Sequence, residues 1–298
     1  MNWRAALIEG SITALNRKRR TGTAEHARTR IEKLVIRPKR FAPSRSIVRD
    51  LNVEARRDGS STIYTMSPQG AKPSQVVLYL HGGSYTFEIS PFHWKLLRQL
   101  VTATPAIVIV PIYTLAPQST AAQTVPAMTD LAQEVIKEHG ADRVTLMGDS
   151  AGGGMALAVA QQLRDRQTEQ PSRIGLIAPW LDVTLTDPRQ RQIEPRDRML
   201  SFGSLAECGR LYAGALDVRD PMVSPLYGDM RGLAPIDIWT GSYDILNVDA
   251  HRLVDAARAA DVDVTLHEHV GMQHAYPLLP LVTEGREARD QLVRLVRG

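Results

Sequence analysis

The serine at position 150 lies in the segment Gly148-Asp149-Ser150-Ala151-Gly152, whose residue types and spacing suit nucleophilic chemistry. An apolar run precedes this segment and a run of small residues follows it, which predicts a strand, a tight turn and a helix. The glycines on either side allow the sharp turn, because larger side chains there would collide with the neighbouring backbone. The turn would hold the serine hydroxyl at the N-terminus of a helix, whose dipole favours negative charge. Ser150 is therefore the candidate nucleophile.

A G-x-S-x-G pattern alone occurs by chance in roughly a tenth of chains this long, so the other parts of such a site must also be found. Backbone N–H donors that stabilise an oxyanion are one of these parts. Each such donor is worth about 10²–10³ in rate. The segment His81-Gly82-Gly83-Ser84 follows a predicted strand and places bare backbone at the carboxyl edge of the sheet. We assign the donors to Gly82, Gly83 and Ala151, with Ser84 as a further candidate. The alternative is an ordinary turn after a strand.

An acid and a histidine complete such a site, in that order along the chain. Asp244 follows a predicted strand over 236–241, while Asp249 is a competitor at the start of the next predicted helix. Alternatively, either aspartate simply caps that helix and has no part in the chemistry. His274 lies in the loop after the last predicted strand, thirty residues beyond Asp244. The sequence therefore predicts the triad of Ser150, Asp244 and His274.

Two further histidines, His267 and His269, lie on one face of the last predicted strand, where packing or exposure to solvent is the expected role. A His-x-His pair also occurs in metal sites, but no cysteine or carboxylate cluster completes one at the usual spacing. We therefore predict no metal and no cofactor.

As a set, these segments resemble the hormone-sensitive-lipase family of α/β-hydrolases, also called bacterial family IV esterases. The family's HGGG, YRLAPE, GDSAGG, DPxxSPL and GMxH motifs correspond to residues 81–84, 113–118, 148–153, 220–226 and 271–274, respectively. Ser84 replaces the third glycine of the first motif, which a backbone donor tolerates while the local φ stays negative. Thr114 and Gln118 replace the usual Arg and Glu, which puts local stability in question rather than the chemistry.

The resemblance implies a carboxylic ester hydrolase, a serine carboxylesterase for short-acyl esters, with lactones as a further candidate substrate class. Ser150 would attack the ester carbonyl, His274 would transfer the proton, and Asp244 would orient the imidazole while an acyl-enzyme forms. Residues that flank the motifs either line the substrate pocket or only pack beneath it: Ser84, Tyr85, Phe87, Tyr113 and Trp180.

Two other functions are compatible with the same fold. An amidase or peptidase would use the same triad, since these enzymes share their parts with esterases. A ligand-binding protein of this fold would lack a catalytic residue, whereas this chain keeps a candidate for every role.

The alternation of strands and helices predicts an α/β-hydrolase fold, with a mostly parallel eight-stranded sheet flanked by helices and a helical cap. Strands are expected near residues 48–53, 62–66, 76–80, 106–110, 143–147, 174–178, 236–240 and 264–269, the first two as a hairpin. Helices are expected over residues 92–103, 124–139, 151–166, 203–216, 248–260 and 283–297. We assign residues 1–46 and the insertion 183–222 to the cap, and residues 47–298 to the catalytic domain.

Charge is concentrated at the N-terminus, where residues 1–50 carry a net charge of +9 and the remainder carries −5. A basic segment indicates a solvated cap, an anionic membrane surface or a nucleic acid. The sequence has no zinc finger, helix-turn-helix or aromatic-basic interleaving, so we expect no nucleic-acid partner. An apolar stripe at helical spacing is expected to pack against the insertion 183–222: Trp3, Leu7, Ile8, Ile12 and Leu15.

The cellular location is predicted from three observations. No apolar run reaches the ~20 residues that span a bilayer, so we expect no stable membrane insertion. The N-terminal charges follow the apolar stretch rather than precede it, which predicts no secretory signal. A single cysteine, Cys208, excludes an internal disulfide and fits a cytoplasmic protein. The predicted partner is a small-molecule ester, with a homodimer as a candidate assembly.

Overall fold

Eight strands form one sheet in the computed structural model, which describes residues 22–59 and 61–298. The strands are β1 Leu51–Asp58, β2 Ser61–Pro68, β3 Gln75–Leu80, β4 Ala106–Ile112, β5 Val144–Asp149, β6 Arg173–Ile177, β7 Ile236–Gly241 and β8 Val264–His269. Their order across the sheet is β1-β2-β4-β3-β5-β6-β7-β8. β1 pairs with β2, and β2 with β4, in antiparallel fashion, whereas all other neighbours are parallel.

The described helices number nine. They are α1 Ala24–Ile36, α2 Arg45–Val48, α3 Pro91–Ala103, α4 Ala121–His139, α5 Ala151–Asp165, α6 Pro188–Ile193, α7 Phe202–Ala213, α8 Asn247–Ala259 and α9 Thr283–Arg297. The predicted architecture, a mostly parallel eight-stranded sheet flanked by helices, is confirmed. Three of these helices, α1, α2 and α6, were not predicted as elements. α1 buries only Ala27 and Ile31, so its apolar signal is weak, and α2 and α6 span only one to two turns.

The central strands are buried on both faces, because helices cover the sheet on each side. In β3, Val77 and Tyr79 point into the core beneath α3 and α9. Val76, Leu78 and Leu80 point into the other core, beneath α4, α5 and α8. Successive side chains of a strand face opposite sides, so an unbroken apolar run is what a central parallel strand requires. The pairing of β3 with β5 brings Leu80 beside Gly148, which places both following loops at one edge of the sheet.

Helix α1 packs against the insertion that follows β6. The Arg28 guanidinium donates to Glu207 Oε1 at 3.1 Å, and the Glu207 side chain is only 5 % exposed. The Ser201 hydroxyl also donates to the Gly22 carbonyl at 3.1 Å. These contacts join residues from both segments that we assign to the cap. The division into cap and catalytic domain stays a prediction, and the apolar stripe from Trp3 to Leu15 lies outside the described residues.

Among residues 22–59 and 61–298, no helix combines the length and apolar character that crossing a bilayer requires. The cytoplasmic location stays a prediction.

Candidate active site

Ser150 lies on the turn between β5 and α5, at the carboxyl edge of the sheet. Its φ of 52° and ψ of −121° place it in a strained region of backbone conformation. Two backbone hydrogen bonds hold the turn: Ser150 N–H donates to Ile177 O at 2.8 Å, and Ser150 O accepts from Trp180 N–H at 2.8 Å. A Cβ at Gly152 would collide with the Leu80 carbonyl, so glycine is required there. The fold therefore fixes the serine with its side chain clear of the sheet.

The three residues of the predicted triad meet at this edge. The His274 Nε2 atom lies 2.9 Å from Ser150 Oγ, and His274 Nδ1 lies 2.7 Å from Asp244 Oδ2. Asp244 Oδ1 accepts from the Leu246 N–H at 2.9 Å, which fixes the carboxylate plane. The loops of the acid and the histidine are joined to each other by Tyr243 N–H, which donates to the Met272 carbonyl. A continuous hydrogen-bonded chain thus runs from the hydroxyl to the buried carboxylate.

Opposing effects set the pKa of His274. Burial lowers it, but the negative charges of Asp244, Asp197 and Asp149 outweigh burial and raise the pKa of the imidazole above its usual value. A raised pKa makes the neutral imidazole a stronger base and favours its protonated form once a proton is taken up.

The competing acid, Asp249, belongs to a different cluster. It lies in α8, where its carboxylate accepts from Arg252 Nη1 at 2.8 Å and from Gln190 Nε2 at 3.0 Å. Burial, and then the charge of Asp182, raise the pKa of Asp249 to about 7. The structure therefore brings Asp244, not Asp249, to the histidine.

The Gly82 amide, expected to donate to the oxyanion, is engaged elsewhere. It donates to Asp149 Oδ1 at 2.8 Å, so this part of the prediction is wrong. The amides of Gly83, Ser84 and Ala151 have no hydrogen-bond acceptor among the residues that the structure describes. Ser84 has a φ of 52°, so the condition under which serine was expected to be tolerated in place of glycine, a negative φ, is not met. A serine in this left-handed conformation is less favourable than a glycine.

Asp149, which precedes the nucleophile, fastens the Gly82 loop to the turn. Its carboxylate accepts from the Tyr79 hydroxyl at 2.8 Å and from His93 Nε2 at 3.1 Å, besides Gly82 N–H. Burial raises its pKa, but the electrostatic interaction with His93 and these hydrogen bonds outweigh that effect and hold the pKa of Asp149 below its usual value. His93 Nδ1 accepts from Ser90 N–H at 3.0 Å, which leaves Nε2–H to donate. No role was predicted for His93, because no local sequence pattern indicates a contact with Asp149, which is 56 residues away.

His81 lies beneath the same loop as a neutral ring. Burial lowers the pKa of His81 to about 4. Its ring stacks on Tyr113 with 4.4 Å between centroids, and the Tyr113 hydroxyl donates to the His81 carbonyl at 2.7 Å. These contacts brace the start of the loop that carries Gly83 and Ser84.

For the aromatic residues that flank the motifs, pocket lining or packing was expected, and pocket lining stays a prediction. Tyr85 and Trp180 are almost fully buried and pack, since the Tyr85 ring stacks between Trp180 and Tyr212 at 5.5 and 3.5 Å. Tyr113 is buried and borders a cavity of about 230 Å³ between α1 and the loop after Ser84, whose lining does not include Ser150, Asp244 or His274. Phe87 is half-buried, with the Arg30 guanidinium 4.4 Å from its ring centroid.

We expect Asp149→Asn to lower the free energy of unfolding by about 1–3 kcal/mol, because the amide group would face one of three donors. The loss should shrink as pH falls below the usual carboxyl pKa of 3.8, since a depressed pKa stabilises the fold only while the group is ionised. Urea denaturation at several pH values measures the loss in the free energy of unfolding and its dependence on pH. Asp165→Asn is the control, because Asp165 is exposed and, within the part of the chain that the structure describes, bonds to its neighbour Arg164 alone. Equal stability of the two variants would contradict the assignment.

Comparison with known proteins identifies the family of this chain. The α/β hydrolase fold family matches residues 77–278. An acetyl-hydrolase of Streptomyces hygroscopicus is 36 % identical over 220 residues, which cover 72 % of each chain. An esterase of Acinetobacter venetianus is 31 % identical over 211 residues, covering 70 % of this chain and 69 % of that one.

A crystal structure of an esterase from the bacterial hormone-sensitive lipase family superposes with a TM-score of 0.84 at 26 % identity. The superposition covers all of this chain and 98 % of the other. The family resemblance and the class of carboxylic ester hydrolase, both predicted from the sequence, are confirmed. This chain belongs to the α/β-hydrolase family, among the esterases and lipases of the hormone-sensitive-lipase type.

Proposed function

We propose that this protein is a serine carboxylesterase that hydrolyses short-acyl carboxylic esters through an acyl-enzyme. The observation that carries the proposal is the hydrogen-bonded chain from Ser150 Oγ to His274 at 2.9 Å and on to Asp244 at 2.7 Å. A nucleophile, a base within reach of it and an acid that orients the base are the parts this chemistry requires. The relative named acetyl-hydrolase supports a short acyl group.

The first step forms the acyl-enzyme. Ser150 Oγ attacks the ester carbonyl carbon while His274 Nε2 takes the hydroxyl proton. The buried Asp244 carboxylate holds the ring with Nδ1–H directed towards it and stabilises the imidazolium. The protonated imidazole then gives its proton to the alkoxide that leaves as the ester C–O bond breaks. The raised pKa of His274 suits the proton acceptance.

The oxyanion that forms in this step needs donors, and we assign them to the amides of Gly83, Ser84 and Ala151. Gly83 and Ser84 lie on the loop that Asp149 fastens beside the nucleophile through Gly82. Ala151 is the first residue of α5, where the N–H groups of a helix have no internal acceptor. Donors fixed before the reaction stabilise the charge without reorganisation.

Hydrolysis of the acyl-enzyme repeats the same steps with water. His274 takes a proton from a water molecule, the hydroxide attacks the acyl carbon, and the proton passes to Ser150 Oγ as the acyl bond breaks. The products are a carboxylic acid and the free serine. No step requires a group beyond these side chains and amides.

We expect Ser150→Ala to lower kcat for nitrophenyl acetate and butyrate by about 10⁴-fold or more, because the nucleophile is lost. Stability should hold or rise, since the change relieves a strained position. Steady-state assays on a panel of esters, a lactone and an acyl amide, with thermal denaturation alongside, measure both. Undiminished ester hydrolysis by the variant would refute the proposed nucleophile, and faster turnover of the amide than of the esters by the unmodified enzyme would refute the proposed substrate class.

We expect Asp244→Asn to lower kcat by about 10⁴-fold, because asparagine favours the imidazole tautomer that cannot accept the serine proton. Asp249→Asn is the matched control, since this buried aspartate contacts Arg252 and Gln190 instead of the histidine. Its kcat should stay within about threefold of the unmodified enzyme. The reverse pattern of losses would show that Asp249 is the acid.

A further inference from the structure

A short segment of the insertion, residues 196–200, contacts the loop of the histidine. Gln273, the residue before His274, is buried. Its side chain donates from Nε2 to the Arg196 carbonyl at 3.1 Å and accepts at Oε1 from Arg198 N–H at 2.8 Å. Both hydrogen bonds reach the backbone of the segment, so the position of the segment and that of the histidine loop are linked.

The same segment also contacts the loop of the acid. Asp197 is fully buried, and its Oδ2 accepts at 3.0 Å from the N–H of Ile245, the residue after Asp244. Its other oxygen, Oδ1, accepts from Met199 N–H at 2.7 Å and Leu200 N–H at 2.8 Å. One carboxylate therefore closes a turn of the insertion and binds the backbone beside the triad acid.

We propose that Asp197 is a positioning residue of the triad, and that residues 196–200 couple the insertion to the geometry of the acid and the histidine. This inference rests on the proposed function. It makes the activity depend on how the insertion is seated, although no atom of the segment touches the reacting atoms in the proposed mechanism.

The alternative role of Asp197 is a turn cap alone, and other aspartates of the insertion show what that role requires. Among the described residues, Asp217 accepts through Oδ1 from Arg219 N–H at 2.7 Å, and Asp220 accepts through Oδ1 from Met222 N–H at 2.9 Å. Each uses one oxygen within its own turn. Asp197 Oδ2 reaches a different loop, 48 residues away in sequence, which closing a turn does not require.

The charges around His274 come from three elements. Asp244 follows β7, Asp149 ends β5, and Asp197 belongs to the insertion, and each raises the pKa of the imidazole. Burial and the Asp244 charge raise the pKa of Asp197, while the amides of Leu200 and Ile245 oppose that shift. Removal of the Asp197 charge would therefore lower the pKa of His274, and the acid limb of the pH profile would move to lower pH.

The test is the pH dependence of kcat/KM for nitrophenyl acetate, measured on the full chain with Asp197→Asn, Gln273→Ala and Asp217→Asn. For Asp197→Asn we expect the acid limb to move down by about 0.5–1 pH unit, the shift of a nearby buried charge. Its kcat should fall about tenfold as the acid loop loosens. Asp217→Asn, which changes an exposed turn cap, should match the unmodified enzyme in both quantities.

Gln273→Ala separates position from charge, because it removes both contacts to the segment and leaves every carboxylate in place. We expect kcat to fall about tenfold with the acid limb unmoved. If Asp197→Asn does not fold, an unchanged kcat in Gln273→Ala overturns the coupling. If Asp197→Asn folds, an acid limb that coincides with that of the unmodified enzyme overturns the role of the charge. Ser150→Ala, assayed beside them, separates these failures from a failure of the proposed function, which alone requires that variant to be inactive.

Discussion

The strained turn at Ser150 is the constraint on which the rest of the site depends. Its backbone conformation is unfavourable for serine, and the surrounding structure maintains it through hydrogen bonds to Ile177 and Trp180. The close approach of Gly152 to Leu80 lets α5 begin directly at the sheet edge. Since β3 and β5 are paired neighbours, the same edge also carries the Gly83 loop. One local geometry thereby places a hydroxyl and a row of amides together.

The site also contains several buried aspartates. Asp149, Asp197 and Asp244 all lie out of water near one imidazole, an arrangement that would be costly if they were unpaired. Backbone N–H groups reduce that cost at each of them, through Gly82 for Asp149, Ile245 for Asp197, and Leu246 for Asp244. Their common effect is to raise the pKa of His274 against the opposing influence of its burial. The charges thus favour proton uptake at the atom that faces the hydroxyl.

The sequence predicts the sheet and the triad because both leave local signals. The central strands are buried on both faces, so each reads as an apolar run that ends where a loop begins. Ser150 and Asp244 each follow such a run, whereas His274 follows β8, a partly buried edge strand of alternating pattern. Parallel strands bring their carboxyl ends to one edge of the sheet. These residues can therefore be predicted to lie close together in space although they are far apart in the sequence.

The remaining features depend on contacts that no local pattern records. The direction of the Gly82 amide is set by Asp149, 67 residues later, so the oxyanion donors could not be assigned by motif alone. The partner of His93 and the reach of Asp197 to Ile245 are likewise long-range contacts. In the insertion, polar residues bond to one another and to loops rather than following a helical or strand period. Its helix α6 was therefore missed.

Ser150 is the proposed nucleophile, made reactive by His274 and Asp244. The most direct measurement is peptide mapping by mass spectrometry after brief exposure of the intact enzyme to a fluorophosphonate ester, which transfers its phosphonyl group to an activated serine with loss of fluoride and so inactivates the enzyme. We expect one adduct, on the peptide that contains Ser150, and its formation should parallel the loss of ester hydrolysis. Complete inactivation with the adduct on any other residue, or full activity retained in enzyme whose Ser150 is modified, would contradict it.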